Sequence, residues 1–575
     1  MTLRNDPRKS PRKFFLCLLV LSMLTVIASG YANSEPLKSN APDSSPSAKI
    51  SVLTYHNNNF RTGLNSNETI LTPANVNPKQ FGKIGTLTVT GTVDAEPLYV
   101  SGLSINGKAH DVIFVATEDD MVYAFDAGND KQLWATSALA KFPGEMPSDD
   151  HRCPQVFPVI GITSTPVIDL TAGPHGTIFV VAMSKDGSGN YHQRLHALDL
   201  ATGAERMAPR EIHATYPGKG TGSSGGIQTF NPSSYEERAA LLLSNGVIYT
   251  SWTSHCDFAP YSSWVMGYSE SNLNQLTVLN LIPNGTTQAG KEGGIWMAGN
   301  GPAADRSGNI YLLVGNGTFD ATLNSKGFPV DGDYGNSFVK LSTRGHKLEV
   351  ADYFAMNNSA GTAESESSKD TDLGSGGEML LPDRRDGSGK VVQLAVGAGK
   401  DTNLYVVNRH DMGKYKPNDA GIYQELIGAL PGGVWSSPAY FDNAVYYDSV
   451  RNPMKAFPIS NAKVASAPSS QTTSSFGYPS VTPSISSDGT KDGVVWTVVA
   501  GPAQGFSFTG KSTGVLSAYD ATDLSKELYD SNMAAGSRDA YPTDRADKFI
   551  TPLVAGGKVY VGTPNAVVVF GLLNH

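Results

Sequence analysis

The stretch VYAFDAGNDKQLW, positions 122–134, recurs along the chain and limits the folds open to it more than any other feature. It alternates up to Ala-aromatic-Asp, turns through polar residues and closes on a short strand ending in Leu-Trp. That is the pattern of two antiparallel strands joined by an Asx-type turn. Related stretches begin at Leu195, Val265, Phe338, Leu404, Met454 and Leu516, with a truncated copy at Val567. About eight copies, spaced by roughly 50 to 75 residues, make the period of a β-propeller with loop insertions.

A second signal stands at the head of the repeats: Glu96-Pro97-Leu98, Thr165-Pro166-Val167, Gly301-Pro302-Ala303, Ser437-Pro438-Ala439, Thr482-Pro483-Ser484 and Thr551-Pro552-Leu553. Proline cannot donate to a ladder, so its repeated use at one strand start predicts an edge strand, here the innermost strand at the channel. Apolar runs follow, such as VIFVAT from Val112 and NIYLLVGN from Asn309. The expected blade is inner strand, buried strand, Ala-aromatic-Asp strand, turn and outer strand. The last copy lacks its outer strand, and FGKIGTLTV from Phe81 can supply it, closing an all-β, eight-bladed ring through the two chain ends.

The ends and the charge set the context. Arg4, Arg8, Lys9, Arg12 and Lys13 precede the apolar run FFLCLLVLSMLTVIASG, the layout of a secretory signal over 1–32; an uncleaved anchor is the alternative. A Ser- and Pro-rich flexible leader over 33–50 and a propeller over 51–575 follow. The segment from Tyr55 to Ile84, polar with spaced apolar anchors, is expected to wrap the body. Removal of the signal takes the formal charge from -9 to about -13, which leaves no basic patch for nucleic acid. The expected location is therefore secreted or periplasmic, with no membrane span once the signal is removed. Cys153 and Cys256 then remain, free to pair in an oxidising compartment.

The repeats resemble those of the quinoprotein alcohol dehydrogenases, the PQQ-like eight-bladed propellers, whose blades carry Ala-x-Asp-x-x-Thr-Gly-x-x-x-Trp. Ala124, Asp126 and Trp134, and Ala197, Asp199, Thr202 and Gly203, match that signature, as does Arg61-Thr62 before Leu71-Thr72-Pro73 in the opening segment. The resemblance implies pyrroloquinoline quinone (PQQ) and Ca²⁺ on the axis and oxidation of an alcohol or sugar. GGIW from Gly293 would make Trp296 the stacking floor; an indole packed between blades is the other reading. GNGTFD and DGDYGN would make Asn316 a Ca²⁺ ligand and Asp333, or less directly Asp331, the catalytic base. GAGKDTNLYVVNR from Gly397 would make Lys400 a donor to the quinone oxygens, and Thr165 joins it as a cofactor contact.

Departures from the family pattern stand beside these matches. The family's adjacent cysteine pair is absent, Cys153 standing alone after His151 and Arg152. Where a metal-binding Glu is expected the chain has Lys185 and Asp186, leaving Asp186 as the second metal candidate. No Cys-x-x-Cys-His occurs, so electrons would pass to a separate acceptor. His151, His255 and His410 read as surface or turn residues. A cofactor-free propeller that binds a glycan or a protein through its loops is the second reading, since this fold serves both uses.

Overall fold

Period-two alternation and proline-headed strands drive short antiparallel sheets, and closure of a ring of such sheets removes their open edges. The computed structural model describes residues 50–149, 153–287, 292–360, 369–500, 513–541 and 547–573. Within them eight small antiparallel sheets form an eight-bladed propeller, as the repeats predicted. The expected signal, most of the leader, and His151 and Arg152 lie outside the described residues. Among the described residues no helix is long and apolar enough to cross a membrane.

Blade one shows the repeat. Leu98–Ile105 pairs with Lys108–Ala116, which pairs with Met121–Asp126, which pairs with Gln132–Ser137. The recurring hairpin is the third and outer strands, with Ala124 opposite Trp134. Asp126 holds the turn by accepting the Gly128 N–H at 2.8 Å. The Trp134 indole N–H crosses to blade two and donates to Leu200 O at 3.0 Å. Gly203, at φ +69°, leaves the room for it: a Cβ there would stand 2.5 Å from the indole. The Ala-x-Asp, Thr-Gly and Trp of the signature thus serve one purpose, docking each sheet onto the next.

The inner strands of blades two to eight are Val167–Asp169, Leu242–Ser244, Ala303–Ala304, Glu378–Leu380, Ala439–Phe441, Ser484–Asp488 and Leu553–Ala555. Phe81–Thr88 pairs antiparallel with Ala566–Leu572 and becomes the outer strand of blade eight, the closure expected from the missing strand. Each blade interface buries an apolar layer. Phe81, Trp496, Tyr529 and Phe570, for instance, meet in one cluster between blades seven and eight.

The opening segment does not wrap the outside of the body. From Val52 to Asn65 it bonds to the inner strand of every blade in turn. Val52 pairs with Tyr99, Leu53 O accepts from Ile168 N, and Asn59 Nδ2 donates to Leu243 O. Then Asn59 O, Phe60 O, Thr62 O and Gly63 O accept from Ala304 N, Leu380 N, Tyr440 N and Ile485 N, and Asn65 Nδ2 donates to Val554 O. The reason is the one that placed prolines at these strands: an inner edge in a closed ring still carries unpaired backbone groups, and a polar extended segment satisfies them. Arg61 sits in this plug with no exposed surface. Its guanidinium donates to Thr54 Oγ1, Tyr55 O, Leu241 O, Gly301 O and Pro302 O.

Candidate functional site

Two kinds of connection open on one face of a propeller: those leading into the inner strand and those from the second strand to the third. A cavity of about 190 Å³ on that face draws its walls from these connections alone. Blades three to five each contribute from both kinds, among them Glu236 and His255, Trp296 and Asn316, Asp372 and Lys400. Blades six to eight give Trp435, Tyr478 and Phe549 with Lys548.

Glycines set the Trp296 floor. Gly294 and Gly315 exchange backbone hydrogen bonds of 3.1 and 2.9 Å, and a Cβ on either would come within about 3 Å of the indole. The ring is only partly buried and meets Tyr261 edge-on at 6.1 Å. It lines the cavity and also packs against the apolar cluster between blades.

Asn316 follows at φ +47°, with 2 % of its surface exposed. Its backbone N–H donates to Asn336 Oδ1 at 3.1 Å and its Nδ2 to Asp370 Oδ1 at 3.1 Å. Its Oδ1 is buried with no hydrogen-bond donor among the described residues. An orphaned amide oxygen next to carboxylates is a donor suited to a hard cation.

Lys400 lies between two carboxylates, 2.6 Å from Asp372 and 2.7 Å from Asp370, with the Trp435 ring 5.8 Å from its Nζ. Burial pulls the ammonium down, but Asp372 and Asp370 outweigh it and keep the group charged. Asp372 itself is raised, because its burial exceeds the pull of Lys400. Lys400 N donates to Asp372 O at 2.9 Å, so backbone as well as side chains lock the pair.

Glu236 is buried and accepts from His255 Nδ1 at 2.9 Å; Arg238 Nη1 stands 3.9 Å from its other oxygen. Burial pushes this carboxyl up, and His255 more than cancels that, holding it below its usual range. Lys548 is pushed down to about 8 by burial and then by Arg238. Cys153 and Cys256 are paired, with Cα atoms 6.5 Å apart, and Cys256 lines the cavity. His255 is not the surface residue expected: it is 4 % exposed and forms part of this wall. His410 is an exposed turn residue, as read.

Three sequence candidates, Trp296, Asn316 and Lys400, therefore line one cavity, and three do not. Asp333 lies on the same face, in the long connection of blade four, but its carboxylate accepts the Asn284 N–H at 2.8 Å. Burial raises it to about 7. Asp186 caps an exposed turn, accepting from Ser188 N, Asn190 N and Asn190 Nδ2; the Asn190 bonds chiefly bring it to about 2. Thr165 is buried at an inner-strand head, where its Oγ1 accepts the Glu96 N–H at 2.8 Å.

Residues missed by motif matching, Glu236, Asp372, Trp435, Tyr478 and Lys548, carried a signal of another kind. Like Trp296, each stands a few residues before its inner strand, so the strand heads fix a register from which all six follow.

No protein-family model and no curated protein matches the chain. Solved structures do. A quinohemoprotein alcohol dehydrogenase from Comamonas testosteroni is 16 % identical with TM-score 0.54, over 91 % of this chain and 80 % of that one. Another, from Pseudomonas putida, is 14 % identical with TM-score 0.52 over the same shares. At such identities the likeness extends to the fold alone: the chain shares the eight-bladed β-propeller of these dehydrogenases.

Proposed function

We propose that the chain is a quinone-dependent oxidoreductase acting on an alcohol or a sugar, with PQQ and Ca²⁺ held in the axial cavity. One observation carries this: a half-buried indole, a lysine clamped by two carboxylates and an amide oxygen without a donor converge on one cavity. They fit the group. Trp296 would lie against the ring system, Lys400 would donate to the quinone oxygens, and Asn316 Oδ1 with the free oxygen of Glu236 would face the cation. When bound, PQQ supplies a two-electron acceptor and Ca²⁺ polarises it.

The chain's own contribution is positioning and proton handling. The base is Asp372, in the place given to Asp333 from the motif. Asp372 lines the cavity, its burial favours proton uptake, and Lys400 stands 2.6 Å away as the counter-charge to its carboxylate form. Lys400 also holds negative charge as it develops on the acceptor. In keeping with the signal read at 1–32, the enzyme would work outside the cytoplasm and pass electrons to a separate acceptor.

The experiment adds PQQ with Ca²⁺ to the purified protein and follows tryptophan quenching and dye reduction over alcohols and sugars. Wild type binds and turns over; Asp372→Asn binds but loses turnover by at least about 100-fold, the usual share of a positioned base; Lys400→Met loses binding. Absence of quenching in wild type retires the proposal. A second reading has its own support: Trp435 and Tyr478 meet edge-on at 5.6 Å beside acidic and amide groups, the furnishing of a pyranose-stacking wall. Sugar binding without quinone binding would select it.

A further inference from the structure

The donor atoms of Cys153, Cys256 and His255 lie within 4.8 Å of one another, beside the cavity that Cys256 and His255 line. The imidazole is set as a metal-binding imidazole usually is. Nδ1 is turned to a buried carboxylate, Glu236 Oε2 at 2.9 Å, while Nε2 points at Cys153, its O being 2.9 Å away. A carboxylate behind a histidine fixes the ring and raises the basicity of the nitrogen in front.

We propose that reduction of the Cys153–Cys256 bond turns this wall into a two-cysteine, one-histidine site for a thiophilic divalent cation of the zinc class. The S–S bond takes two electrons and two protons from a dithiol, which itself becomes a disulfide, and yields two thiols. The cation then displaces both thiol protons, and any proton on Nε2, to solvent. Two thiolates and an imidazole are the donors zinc prefers, and three protein ligands leave a fourth position open to the cavity that Cys256 and His255 line. Both cysteines are partly exposed and so within reach of a reductant. The oxidised and reduced chains would thus present different cavity walls, one cross-linked, the other holding a Lewis acid.

The test needs no quinone, so its failure and that of the oxidoreductase reading are separate events. Full-length mature protein is reduced with a dithiol or a phosphine under anaerobic conditions, its thiols are counted, and Co²⁺ is titrated in. Expected are two new thiols and one Co²⁺ per chain, with a thiolate-to-cobalt charge-transfer band absent from the oxidised protein. Cys256→Ser should abolish the band, and Glu236→Gln should weaken binding about 10- to 100-fold, the range for an outer-shell partner. His255→Ala should weaken it further and change the visible d–d bands. Two thiols without the band in reduced wild type would overturn the proposal. So would a disulfide that no dithiol reduces in the folded protein, or bands unchanged in His255→Ala. The wild-type titration stands even where a variant does not fold.

Discussion

Replacing Arg61 by methionine tests whether the opening segment is the pin of the ring. The guanidinium is wholly buried and gives six hydrogen bonds to five acceptors, four of them carbonyls from blades three and four and from the segment itself. Methionine leaves these five without a donor. At the low end of about 1 kcal/mol for each orphaned buried acceptor the cost is about 5 kcal/mol. Against that stands the guanidinium's own desolvation, which takes its pKa from 12.5 to about 10 and so amounts to about 3 kcal/mol returned on its removal. The net loss is about 2 kcal/mol before packing is counted, and up to about 5 if the carbonyls cannot reorient.

Lysine keeps the charge and offers three donors, so Arg61→Lys should fall between wild type and Arg61→Met. Urea unfolding followed by tryptophan fluorescence reads all three, with slopes compared to check that each transition is cooperative. A midpoint for Arg61→Met equivalent to less than about 0.5 kcal/mol of loss, a size ordinary for surface changes, would refute the reasoning and demote the segment to a loose filling of the channel.

Other outcomes follow from the same geometry. Trp134→Phe should lose about 1 kcal/mol for the bond to Leu200 O, and Trp134→Ala about 3 to 5 kcal/mol, both read by thermal melts. Because Asp333 has its pKa raised from 3.8 to about 7, its contribution is fully present below about pH 4 and is lost as pH rises through 7. Asp333→Asn, which can still accept from Asn284 N, should remove that fall, a difference of up to about 4 kcal/mol between pH 4 and 8 in urea midpoints. Loss of the Cys153–Cys256 bond, whose ends are 103 positions apart, should cost about 2 to 4 kcal/mol in a Cys153→Ser, Cys256→Ser double variant.

What was legible in the sequence was whatever repeats. The hairpin signature and the proline at the strand heads specify eight sheets, their strand order and the need for Phe81–Thr88 to complete the last one, because these depend on local chemistry renewed in every blade. Trp296, Asn316 and Lys400 were legible because short glycine-containing turns tie each to a strand end. Asp333 and Asp186 show where the method stops. Asp333 matches its motif letter but rides in a connection of more than twenty residues, 314–336, where its carboxylate accepts from Asn284 N, while Asp186 stands where the family has Glu and caps an exposed turn. His255 was misread for the opposite reason: a histidine in a polar loop looks solvated unless its buried partner, Glu236, is known to lie against it.

The same ring that multiplies one supersecondary unit also explains how a symmetric scaffold yields an asymmetric site. Every blade presents equivalent positions, before its inner strand and after its second, and geometry alone brings them to one mouth. What differs is the side chain each blade places there. Blades three to five place titratable and amide groups on the cavity, with Trp296 among them; blades six and seven place Trp435 and Tyr478 there, and blade eight adds Phe549, its backbone at φ +67°. Exchanging the two positions of blade five, Asp372 and Lys400, would keep net charge and leave the scaffold's repeats intact. It would nonetheless reverse the local field, because Lys400 is braced by Asp370 and Asp372, and a propeller that depends only on its fold would tolerate the exchange where a site built on that field would not.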